Sequence, residues 1–178
     1  MFPFEALHKL AQRVANPSDH LTLRGTVEVV DDKGTHVLGK NLVLGSYRRI
    51  IASMMAGVAP AATAPANLVI GQGTSLPVLP DTALAEPYLV SSGGARVQIP
   101  INGGPQFDPA EPEAKVVFEF LLDPALQVYD PTVPGETTEF TINEWGMETS
   151  SGELLTRKVK PYIKSSGTQA LVRWTIFV

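Results

Sequence analysis

From residue 21 to the end, the chain is a series of short stretches in which apolar and polar residues alternate, each cut off by glycine, proline, serine or aspartate. An alternation of period two puts apolar side chains on one face of an extended strand and polar ones on the other. In Leu21-Thr22-Leu23-Arg24-Gly25-Thr26-Val27-Glu28-Val29-Val30, one face holds Leu21, Leu23, Val27 and Val29. Asp31-Asp32-Lys33-Gly34 is turn chemistry, with Gly34 able to take a positive φ, and residues 35–43 return as the second strand of a hairpin. Residues 68–70, 95–101, 114–122, 137–147, 153–162 and 169–178 read as further strands. Seven or eight short strands with regular turn signals predict a mainly β chain, an antiparallel β-sandwich of jelly-roll-like form, over any parallel α/β arrangement.

Two segments break the pattern. Phe4, Leu7, Leu10, Ala11 and Val14 fall at helical spacing and Asn16-Pro17 closes them, which predicts an amphipathic N-terminal helix. Its apolar face packs either on its own domain or, as an arm, on a neighbouring subunit. Residues 45–56 place Ile50, Ile51, Met54 and Met55 on one helical face, Arg48 and Arg49 on the other, and Gly57 at the C-cap. The organisation is therefore a helical arm over residues 1–16 and one β-sandwich domain over 17–178. Residues 59–66 form a low-complexity loop, and residues 72–87 form a long one carrying three prolines, with Asp81 placed to cap a helical turn at Thr82–Ala85. A loop of that length is functional or a contact surface.

With 178 residues, 44% hydrophobic and 18% charged, the chain holds one sizeable core. The absence of cysteine rules out disulfides and thiolate zinc sites, leaving core packing and partner subunits as sources of stability. No run approaches the roughly 18 apolar residues of a membrane span, and the start lacks a signal-peptide pattern, so assembly in the cytoplasm is expected. The net charge of -4 is unevenly spread: residues 103–153 hold 11 acidic side chains and one basic, whereas 154–178 hold 5 basic and none acidic. Either these strands neighbour each other in the sheet, or the two faces meet across a subunit contact.

Catalytic patterns are weak. Gly71-Gln72-Gly73 lacks the third glycine and the following helix of a dinucleotide loop. His8, His20 and His36 match no ligand spacing, no GxSxG elbow exists, and the pairs Glu111/Glu113 and Asp123/Asp130 lie in acidic loops that are ordinarily solvated. The basic residues Arg157, Lys158, Lys160 and Lys164 are split between two strand faces on an acidic chain, which disfavours nucleic acid. No enzyme, cofactor or metal is expected, and Trp145, Tyr129 and Tyr162 are the stacking residues that a carbohydrate-binding module would use.

Five segments stand in a telling order: Gly71-Gln72-Gly73-Thr74, Asp81-Thr82-Ala83-Leu84, Glu144-Trp145-Gly146-Met147, Gly152-Glu153-Leu154-Leu155-Thr156-Arg157, and Trp174-Thr175-Ile176-Phe177. Together they resemble a widespread set of small bacteriophage virion proteins found among tail, neck and fibre-associated components. In that set a Gly-Thr-Gly-Thr-type turn precedes Asp-Thr-x-Leu, and here Gln72 replaces the first Thr. A Glu-Ala-Gly-Leu/Met-type turn follows, where Trp145 replaces the small residue. The resemblance implies a multi-copy virion component of the tail, baseplate or neck that anchors other virion proteins such as fibres, with a capsid decoration protein as the alternative. Its partners would be itself and other virion proteins, with no nucleic acid or membrane. The candidate subunit contacts are Phe2, Phe4, Leu7, Leu10 and Val14 on the arm and Arg157, Lys158 and Lys160 on the basic strand.

Overall fold

The expected hairpin between the first two strands is present, and Gly34 at its turn has φ 122°. The computed structural model describes residues 23–57, 64–109, 114–129 and 136–177. Its strands are β1 (Arg24–Asp31), β2 (Gly34–Val43), β3 (Pro65–Gly71), β4 (Gln98–Pro100), β5 (Gln106–Asp108), β6 (Lys115–Leu122), β7 (Val128–Tyr129), β8 (Glu136–Thr137), β9 (Phe140–Thr149), β10 (Leu154–Lys164) and β11 (Ala170–Phe177). One helix, α1 (Gly45–Met55), follows β2 and ends at Gly57, whose φ of 71° is that of a C-terminal cap. The predicted N-terminal helix lies outside the described residues.

Nine strands form one antiparallel sheet in the order β4-β3-β9-β10-β2-β1-β11-β6-β5, and β7 pairs with β8. Alternation dictates the packing. On β11, Ala170, Val172, Trp174 and Ile176 are buried while Leu171, Arg173, Thr175 and Phe177 are half-buried. The register sets Val29 beside Val172 beside Phe120, and Val27 beside Trp174 beside Phe118, so rows of apolar side chains cross three strands on one face. That face joins Leu68, Ile70, Ile142, Trp145 and Met147 from β3 and β9 in one core. The sheet curls into a half-barrel to achieve this. The ends of the strand order approach each other where Ile101, just past β4, bridges Phe120 of β6 and the Asn102 amide donates to the Glu119 carbonyl at 2.7 Å.

The mainly β, antiparallel architecture with one described helix is thus as expected; division into two stacked layers is a finer matter taken up below. Two local expectations differ. Residues 144–147 are not a turn but the middle of β9, continuously paired with β3 and β10. No helical turn forms at residues 82–85, because the amides of Ala85 and Glu86 are drawn to the Glu144 carboxylate rather than to carbonyls one turn back.

Candidate functional site

Both faces of β9 are covered from Glu144 to Thr149. Trp145 and Met147 enter the main core, leaving Glu144, Gly146 and Glu148 on the opposite face, where alternation alone would put solvent. Instead the long loop after β3 lies over them. A second apolar cluster of Leu44, Val69, Leu84 and Leu154 holds the loop down. Gly146 makes this approach possible: a Cβ there would stand 2.6 Å from Leu154, 2.9 Å from Leu84 and 3.0 Å from Val69.

The centre of the contact is an ion-pair network around Arg157, whose side chain is 3% exposed. Its Nε donates to Glu144 Oε1 at 2.6 Å and its Nη1 to Asp81 Oδ2 at 2.6 Å, while Nη2 donates to the carbonyl and hydroxyl of Ser75 at 3.1 and 3.0 Å. Glu144 is fully buried and takes the Ala85 and Glu86 amides at 2.8 and 3.2 Å. Asp81 accepts the Val78 amide at 2.9 Å. One guanidinium faces two carboxylates, and backbone donors supply what the single cation does not, so the buried charges are paired and hydrogen-bonded. Gly71 and Gly73 leave room for the carboxylate: a Cβ would lie 3.1 Å and 2.5 Å from Glu144 Oε2, respectively.

Four of the five segments that carry the phage resemblance therefore meet at one place, although they are spread from residue 71 to 157. The glycine turn cradles Glu144, Asp81 and Leu84 come from the second segment, Glu144 and Gly146 from the third, and Leu154 and Arg157 from the fourth. Further bonds tie the loop backbone, with the Gly45 amide donating to the Leu79 carbonyl at 3.3 Å and the Gln72 amide to the Glu86 carbonyl at 2.9 Å. We refer to this arrangement as the clasp.

The clasp displays an apolar tip. Leu76, Val78 and Leu79 are 80%, 52% and 52% exposed, within a Leu-Pro-Val-Leu-Pro stretch of residues 76–80. Apolar side chains clustered on an anchored loop mark a contact surface more strongly than scattered ones do. Because the loop is already ordered, a partner meets little conformational entropy cost on binding it. A second ion pair secures the neighbouring hairpin: Arg96 Nη2 lies 2.6 Å from Glu148 Oε2 and donates to the Gly152 carbonyl at 3.1 Å, and Gln98 also donates to Glu148. Gly152 has φ 84°, and a Cβ there would meet Arg96 at 2.5 Å.

The expected contact residues fare differently. Phe2, Phe4, Leu7, Leu10 and Val14 lie outside the described residues, as do His8, His20, Glu111, Glu113 and Asp130. Arg157 is corrected from a subunit contact to a buried tie, since its guanidinium is saturated within the chain. Lys158 is half-buried and donates to the Lys40 carbonyl at 2.8 Å; burial, and then the neighbouring Lys160 charge, lower its pKa. Lys160 is exposed. Trp145 has no exposed surface and its indole donates to the Lys160 carbonyl at 2.8 Å, so it offers no platform for a sugar ring. Tyr162 is buried and donates to Asp31 at 2.8 Å, and His36, half exposed, lies 3.0 Å from the same carboxylate.

The segregated charges meet inside the chain. Arg157 reaches Glu144, and Arg173 Nε lies 2.8 Å from Glu119 Oε1, each joining the basic C-terminal stretch to the acidic one before it. Neighbouring strands therefore account for this part of the pattern. Sequence reading missed that Glu144 and Asp81 are the partners of Arg157; the only signal was that all three stand in the segments of the resemblance. Compared with family models, with curated proteins and with solved structures, the chain matches none.

Proposed function

We propose that this chain is a structural component of a bacteriophage virion, built into the tail, baseplate or neck in many copies, where it connects or anchors other virion proteins such as fibres. The observation that carries the reading is the convergence of the resemblance segments on a clasp whose product is a rigid, exposed apolar tip. In this reading the role is assembly rather than catalysis, and the tip is the contact through which another virion protein is held. The chain is made in the host cytoplasm and ends in the particle. The pairing between β2 and β10, confined to Val43 with Thr156 and Leu42 with Arg157, supports a finer view of the fold as two layers of a jelly-roll-like sandwich hinged at that line.

The test is location. A tagged copy of the full chain is expressed in cells producing the particles, and purified particles are examined by immunogold electron microscopy. Label on the tail, baseplate or neck is expected. Label over the capsid shell would move the chain to a decoration role, and unlabelled particles would refute the proposal.

A further inference from the structure

We propose that a second copy of this chain inserts its open edge strand, β5, into the split between β2 and β10, giving head-to-tail assembly. The inference deepens the multi-copy reading above and rests on it for its biological setting. Beyond the two-residue pairing at Val43 and Leu42, the described parts of β2 and β10 separate, and Lys158 reaches across to the Lys40 carbonyl. A surface cleft of about 490 Å³ opens between them, with Val37 and Leu38 on one wall and Pro161 and Ile163 on the other. Val37 and Ile163 are 69% and 63% exposed. The two walls have different chemistry. β2 is paired along this stretch only with β1, which leaves its second edge to receive a strand. On β10, the register break between Val159 and Tyr162 and the missing amide of Pro161 blunt the edge, so this wall offers apolar surface instead.

The occupant follows from the other free edges. The nine-strand order ends at β4 and β5. β4 is blunted by Pro100, and Ile99 points into the core. β5 has one neighbour, β6, and carries Phe107, which is 65% exposed. A strand pairing with β2 sets a side chain such as Phe107 between Val37 and Ile163. Charge agrees with this seating. Lys33, Lys40 and Lys160 are exposed around the cleft, whereas the sequence from 106 to 114 holds Asp108, Glu111 and Glu113 and no basic residue. Because the two surfaces differ, the contact is heterologous and builds rings or chains rather than closed two-fold dimers.

The experiment uses the full-length chain and measures its mass in solution by light scattering across a concentration series. Assemblies larger than dimers are expected for the native sequence. Val37→Asp with Ile163→Asp blocks the cleft, and Phe107→Asp blocks the edge; each variant should run as a monomer where the native chain assembles. An equimolar mixture of the two should stop at dimers, because one intact cleft meets one intact edge. Lys33→Glu with Lys160→Glu, both at exposed positions, serves as a second cleft variant if the aspartates impair folding, and should weaken assembly at least tenfold at low salt. A native monomer at the highest concentration, assembly unchanged in the folded variants, or a mixture that stays monomeric would overturn the inference. Failure here leaves labelled particles, and so the proposed function, standing. Particles without label would remove that function while leaving head-to-tail assembly intact.

Discussion

Replacing Arg157 with methionine keeps the stem of the side chain and removes its charge. Glu144 then remains fully buried with two amide donors and no cation, while Asp81, at 17% side-chain exposure, loses its partner but keeps access to water. Most of the cost therefore falls on Glu144. Breaking a buried pair from one side costs about 3–5 kcal/mol, whereas removing both members together can be nearly neutral. For a chain of this size, roughly 2–4 °C of Tm per kcal/mol converts that to a fall of roughly 6–20 °C. Glu144→Gln added to Arg157→Met should cost less than the two single changes combined, with a coupling of about 1–3 kcal/mol in a double-mutant cycle. Urea unfolding gives the free energies. Limited proteolysis gives the local consequence: Arg157→Met should admit cleavage within residues 72–87 under conditions where the native loop resists. A loss below about 1 kcal/mol with an uncut loop would refute the clasp as the element that holds the tip.

Three further outcomes are expected. Gly73→Ala places a Cβ 2.5 Å from Glu144 Oε2 and should destabilise by about 1–3 kcal/mol in urea titration, with Gly146→Ala similar because Leu154, Leu84 and Val69 crowd its site. Burial of the Asp31 carboxyl pushes its pKa up, but bonds from Tyr162, His36 and the Lys33 amide outweigh this and hold it below its ordinary value. A depressed folded pKa means that Asp31 stabilises above the unfolded value near pH 4 and that this is lost as pH falls through the lower folded value; Asp31→Asn should flatten the acid limb of the Tm-against-pH curve. Trp174→Ala empties a fully buried site beside Val27 and Phe118 and should cost about 3–5 kcal/mol by chemical denaturation.

The strands were legible because β1, β6 and β11 have one wet and one dry face, and period-two alternation reports that directly. β9 and β10 were legible as strands but not in their facing. Leu154 to Arg157 are all buried because the core covers one face and the loop and α1 the other. Alternation cannot announce a second cover that comes from elsewhere in the chain, so Arg157 read as a surface cation. Residues 82–85 failed as a helix for a related reason: Glu144, 58 and 59 residues away, competes for their amides. Short strands such as β5, β7 and β8, with two or three residues each, carry too little pattern to be seen.

The central claim is that the clasped tip holds this chain to another virion protein. Its most direct test counts copies of the chain in purified particles by quantitative mass spectrometry, comparing the native sequence with Leu76→Asp/Leu79→Asp. Both side chains are exposed, so the variant should fold with unchanged Tm. The account predicts many native copies per particle and a depletion of the folded variant of at least tenfold. Equal incorporation of the two, or particles that contain neither, would contradict it.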